Sequence, residues 1–263
     1  MKIKMNLAKR IVIAASLVLI STGIIALSFN HKLKLPPKVP LTTREVDKEV
    51  VIDTVMLRKF SGLMQTIDFN KNSFTYQGKY DVTDGKDSSN NIHDLPFLYC
   101  RKGQDFYSKI GNNEAINENG LNVYIESDRK KIVVSNKPYQ IKSGITDFSL
   151  LTRNIRGEGY KLISAASGGS RRILLLNEQH ITCKEISVTY DTLSNVISTV
   201  RLRFTDFSDP LNNKKDRTVG IAFTKLTGQV RLGDHPSVKD VVKEKNGKIA
   251  IAPRYAAYEL ITL

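Results

Sequence analysis

Two cysteines, four histidines and a scatter of carboxylates are the groups with which this 263-residue chain could do chemistry. Cys100 and Cys183 stand 83 positions apart, and His31, His93, His180 and His235 fall at no metal-binding interval. A tetrahedral metal site needs four closely positioned soft ligands, so neither metal nor cofactor is expected. There is no Gly-x-Ser-x-Gly elbow, no His-Glu-x-x-His pair and no Cys-x-x-Cys pair. Asp81, Glu126, Asp191 and Asp206 are dispersed. Asp191 opens a turn, where its carboxylate suits the capping of backbone N–H groups. Ser61-Gly62 sits inside a helical pattern and reads as close packing rather than a nucleophile. The chain is therefore expected not to be an enzyme. The two cysteines read either as a disulfide, in an oxidising compartment, or as two small buried hydrophobes.

The elements that would position any site begin with an uncharged run over residues 11–30, preceded by Lys2, Lys4, Lys9 and Arg10. As a helix it would reach about 30 Å, the hydrocarbon thickness of a bilayer. Its basic flank favours an N-terminus in the cytoplasm. The run exceeds the apolar core of a secretory signal, which favours a retained anchor. Cleavage after Ala26-Leu27-Ser28 is the rival reading. The expected organisation is a cytoplasmic tail (1–10), a transmembrane helix (11–30), a Pro-rich stalk (31–41) and one extracytoplasmic strand-rich domain (42–263). That places the protein in the inner membrane as a single-pass chain with its C-terminal domain in the periplasm.

Thr42 and Glu45 have capping-box spacing, and Val46, Val50, Leu57, Phe60 and Met64 repeat every three or four residues, which predicts a helix over 42–67. Strict alternation from Phe74 to Val82 predicts a strand, and hairpins follow at 97–110, 121–135, 160–176 and 183–204. The apolar terminus from Tyr258 to Leu263 is expected as a packed edge strand. The fold class is α+β: a curved, mainly antiparallel sheet or incomplete barrel, its hollow filled by the long N-terminal helix. Phe74, Tyr76, Tyr80, Phe97, Tyr99, Phe106 and Tyr107 are candidate walls of an apolar groove in that sheet, with a solid core as the alternative. Arg201 and Arg203 point away from the apolar face of their strand and form a candidate docking surface.

The succession FTYQGKYDV, FLYCRKGQDFYSKI, LNVYIESDRKKIVVS and ISVTYDTLSNVISTVRLRF, after a helix, resembles the LolA-like periplasmic family over about residues 43–226. That resemblance implies an incomplete barrel whose groove binds or senses lipid or lipoprotein acyl chains. The single anchor, stalk and basic domain also resemble envelope subunits of bacterial secretion systems, including the type VI systems of Bacteroidetes. The formal net charge is +14, but the basic residues are scattered and lack an aromatic stacking platform, so no nucleic-acid partner is expected. The expectation is thus a non-catalytic docking or scaffold subunit with envelope proteins as partners, and lipid or lipoprotein binding as the alternative.

Overall fold

The computed structural model describes residues 53–69, 71–136, 155, 157–245 and 248–263. Helix α1 (Thr54–Thr66) opens this part of the chain. Asp53 is the N-cap, and its carboxylate accepts from the backbone N–H groups of Val55 and Met56 at 2.9 and 3.0 Å. Two of the four orphan donors of the first turn are satisfied in this way. Leu57, Phe60, Leu63 and Met64 fall on one stripe and are buried. The helix therefore begins twelve residues later than the capping-box spacing suggested; residues 42–52 lie outside the described residues. Val55, in the first turn, is off that stripe and 71% exposed. Gly62 is not a packing contact, since a Cβ there would meet nothing within 4 Å.

Strands β1 (Ser73–Asp84), β2 (Ile92–Lys102), β3 (Asp105–Ile110), β4 (Asn113–Glu118), β5 (Leu121–Glu126) and β6 (Lys131–Ser135) come next. They are followed by β7 (Lys161–Ser167), β8 (Ser170–Leu176), β9 (Cys183–Asp191), β10 (Ile197–Phe204) and β11 (Arg217–Thr227). Short helix α2 (Val238–Val241), the hairpin β12 (Val242–Lys245) and β13 (Lys248–Ile251), and β14 (Glu259–Thr262) complete the chain. Twelve strands form one sheet in the order β14-β6-β5-β4-β3-β2-β1-β11-β10-β9-β8-β7. All pairings are antiparallel except β14 with β6, so the sheet is mixed. The closing β14 is an edge strand, as the apolar terminus suggested. Strand β4, and the β12–β13 hairpin within a stretch that reads as merely charged, carry weak alternation and were not legible.

The curved sheet or incomplete barrel is corrected: this sheet is open, with β14 and β7 as its two edges, and it has no single hollow. Two rows of apolar side chains run across one face, Val82-Val219-Leu202-Ile186-Leu175 and Tyr80-Ile221-Val200-Val188-Ile173. Helix α1 lies on this face, with Lys59 over the Tyr190 ring, and the two rows with the helix supply most of the larger core. The opposite face carries Cys100-Tyr107-Ile116-Val123-Val134 across β2 to β6. There the cover is α2 and β12, through Val238, Val241 and Val242. Because successive residues of a strand point to opposite faces, the apolar set changes face between the two halves, and each half needs its own roof.

The single-pass reading is corrected as well. Among the described residues no helix is long and apolar enough to cross a membrane. At 13 residues α1 spans about 20 Å, and its outer face is polar. The apolar run at 11–30, the basic tail at 1–10 and the stalk at 31–41 lie outside the described residues. With neither an anchor among the described residues nor a curved sheet, the inner-membrane and periplasmic placement, the envelope-assembly scaffold role and the acyl-chain groove are not retained.

Candidate functional site

One place on the molecule combines concavity, apolar walls and converging polar groups. It lies where the C-terminal end of α1 meets the β9–β10 turn, the end of β11 and the start of β1. The cavity is open to solvent and holds about 350 Å³. Phe74, Tyr76, Val196, Ile197 and Leu226 line its apolar part, and Thr66, Lys71, Ser73, Ser194, Asn195 and Thr227 its polar part.

Local chemistry fixes each wall. Phe74 and Tyr76 alternate onto the α1 face of β1 and stack at 4.3 Å between ring centroids. The Tyr76 hydroxyl bonds to the carbonyls of Thr66 and Asp68, 3.1 and 3.2 Å away, where the helix has run out of intrahelical donors. Burial pushes the Tyr76 phenol well above the ordinary tyrosine range, so it stays a neutral donor. On the other side Asp191 caps its turn as expected. Its carboxylate accepts from the Ser194 N–H and hydroxyl at 2.7 and 2.8 Å and from the Leu193 N–H at 3.1 Å. Those bonds, the Ser194 N–H first, hold its carboxyl below the usual carboxylate range. Asn195 takes a positive φ of 57° and accepts from the Lys59 ammonium of α1, which ties turn to helix. Ser73 bonds the Gly228 carbonyl at 3.0 Å, joining β1 to the end of β11. Lys71 gives one hydrogen to the Thr66 carbonyl at 3.2 Å, and among the described residues its other two have no partner.

The aromatic residues proposed as groove walls occupy several places. Phe74, Tyr76, Tyr80 and Phe97 form a solid cluster on the α1 face, with Tyr99 packed against it. Phe106 is buried on that face, whereas Tyr107 belongs to the opposite core. Only Phe74 and Tyr76 also border the cavity. The polar rim was missed because Lys71, Ser194, Asn195 and Thr227 come from three distant segments with no shared motif.

Arg201 and Arg203 share a face, as their alternation required, but their circumstances differ. Arg203 is tied down, donating to Glu178 at 2.6 Å and Asp216 at 3.2 Å. Arg201 is half exposed and 3.6 Å from Glu185. Beside them Lys184, unexposed, is the unpaired residue of a β-bulge between the Arg203–Glu185 and Phe204–Cys183 pairs. Its ammonium donates to the Pro210 carbonyl at 2.7 Å, Asn213 at 2.8 Å and Asp216 at 3.1 Å. All three of its hydrogens are used, so the cluster pins the 205–216 segment to the sheet and has no group left to act on a substrate.

The cysteines do not meet. Between β2 and β9 lie three strands, so Cys100 and Cys183 stand about 19 Å apart at ordinary strand spacing, far beyond disulfide reach. Both thiols are free. Cys183 is next to His180, yet burial pushes its thiol up to about 12, where thiolate is negligible at neutral pH. The His180 Nδ1 is occupied in accepting the N–H groups of Thr182 and Cys183 at 3.2 and 3.0 Å. Among the described residues no group of histidine, cysteine and carboxylate side chains is arranged to hold a metal ion. No protein-family model matches the chain, and no curated protein matches it.

Proposed function

We propose that this protein is a non-catalytic binding domain that takes a small amphipathic ligand, apolar at one end and anionic at the other, into the cavity at the end of α1. The observation that carries this reading is the composition of the cavity: five apolar residues form its lining, and Lys71 is the one charged side chain among its polar residues. Its volume falls in the lower part of the range of small-ligand sites, which are mostly apolar with a few placed polar groups. The Lys71 ammonium has donors to spare, while Ser73, Ser194 and Thr227 offer hydroxyls around it. Among the described residues that line the cavity none is a histidine, cysteine or carboxylate, and the Ser194 hydroxyl donates to Asp191 within its turn, so binding is the chemistry this lining fits.

Titration of the isotopically labelled protein with short aryl carboxylates such as phenylpropionate tests this. Amide shifts should concentrate at residues 66, 71–76, 194–197 and 226–228. Lys71→Glu should weaken binding about tenfold or more, the strength of a charge-assisted hydrogen bond. Val196→Trp should abolish it by filling the cavity, without loss of stability, because Val196 is half exposed. Shifts centred elsewhere, or affinity indifferent to both substitutions, would remove the proposal.

A further inference from the structure

The two edges of the sheet are finished differently. Strand β14 has four residues and begins with Glu259, whose carboxylate pairs with Lys131 at 3.3 Å. It is short and charged, the usual way of keeping an edge from recruiting another strand. Strand β7 is longer, and Lys161 at its start is its one charge. It runs seven residues, Lys161–Ser167, in unbroken register with β8 from Lys161 opposite Leu176 to Ser167 opposite Ser170. After Lys161 its sequence is Leu-Ile-Ser-Ala-Ala-Ser, with no charge, proline or bulge. Every residue but Leu162 is exposed, and Ile163 is 44% so. Among the described residues no strand pairs with its outer side. An edge in regular register, uncharged after Lys161 and unpaired among the described residues, offers a row of N–H and C=O groups that another strand can complete.

We infer that the strand completing it is β7 of a second copy of this chain, antiparallel and related by a two-fold axis at Ser164. The sequence is self-complementary about that residue. Residue pairs across such a ladder are Ile163 with Ala165, Leu162 with Ala166 and Lys161 with Ser167. Directly opposed residues share a face, so each large apolar side chain lies beside a small one, and no two lysines face each other. The contact is isologous and closes at two, joining two twelve-stranded sheets into one. This inference is independent of the cavity and of any ligand.

The axis residue provides the test. Ser164 is exposed, so Ser164→Lys and Ser164→Glu leave the fold of the single chain intact, which circular dichroism and thermal melting verify. The wild-type full chain should be a concentration-dependent dimer by sedimentation equilibrium. Its association should tighten as salt rises, because two copies of formal charge +14 repel. Each single variant sets like charges face to face across the axis and should raise the dissociation constant about 100-fold or more. An equimolar mixture of the two variants should recover dimers, now mixed. A wild type that stays monomeric at high concentration overturns the inference. So does a dimer insensitive to Ser164→Lys, a mixture that fails to pair, or a wild type whose assembly grows past two.

Discussion

The two halves of the sheet reach the same end, a sealed apolar face, by opposite means. On one side α1 covers β8 to β11 and β1 with a single element of 13 residues whose stripe is continuous in sequence. On the other, β3 to β6 are roofed by a four-residue helix and a small hairpin near the end of the chain, while β14 extends the sheet itself. The first roof is one continuous helix, tied to the β9–β10 turn through Lys59 and Asn195. The second is assembled from pieces held by long-range contacts such as the His235 ring stacked on Tyr107, 4.7 Å apart. The lesson is that a sheet whose apolar set changes face obliges the chain to fold over it from both ends.

Phe60→Ala should produce the largest effect on the first half. Phe60 is unexposed beneath α1, and truncating such a ring removes about 3–5 kcal/mol, readable from denaturant unfolding. If the two halves unfold as one unit, a single transition moves. If they are separable, hydrogen exchange will accelerate in β8–β11 while β3–β6 remain protected.

Lys184→Met comes next. It leaves Asp216 buried with Arg203 as its remaining cationic partner, and loss of one member of a buried pair typically costs about 3–5 kcal/mol. A smaller loss than Phe60→Ala is expected because that second cation stays in place. Exchange of the 205–216 amides should rise first. Full retention of stability would mean that the bulge and its bonds do not anchor that segment.

The smallest effect separates the halves by pH. Burial draws the His235 pKa below its ordinary value of 6.5, so the unfolded chain binds a proton at a pH where the folded chain does not. The stability associated with the neutral ring is whole above 6.5 and declines as pH falls below it. In the other half, the Arg203 guanidinium holds Glu178 below its ordinary 4.5, so that contribution is kept above 4.5 and declines only at lower pH. Acid should therefore loosen β3–β6 before β8–β10. His235→Phe, which keeps a ring against Tyr107, should flatten the upper decline of the melting temperature and leave the lower one.

Much of the local structure could be read directly. The stripe Leu57, Phe60, Met64 announced α1, and the alternation in β1 and the β9–β10 hairpin announced those strands almost to the residue. Asp191 announced its own turn. The arrangement of strands was hidden, because α1 contacts β9 across more than a hundred residues of sequence, and nothing local encodes that pairing. The cavity was hidden for the same reason, being a place where four separate segments stop short of one another.

Periodicity, turn residues and capping side chains thus settled which segments become helix or strand, since those preferences act over a few bonds. Tertiary structure decided three further things: that the sheet stays open, that each face receives a core, and that Arg203 is locked while β7, among the described residues, forms an unpaired edge. Those outcomes depend on which distant apolar surfaces exclude water together, a choice made among all segments at once.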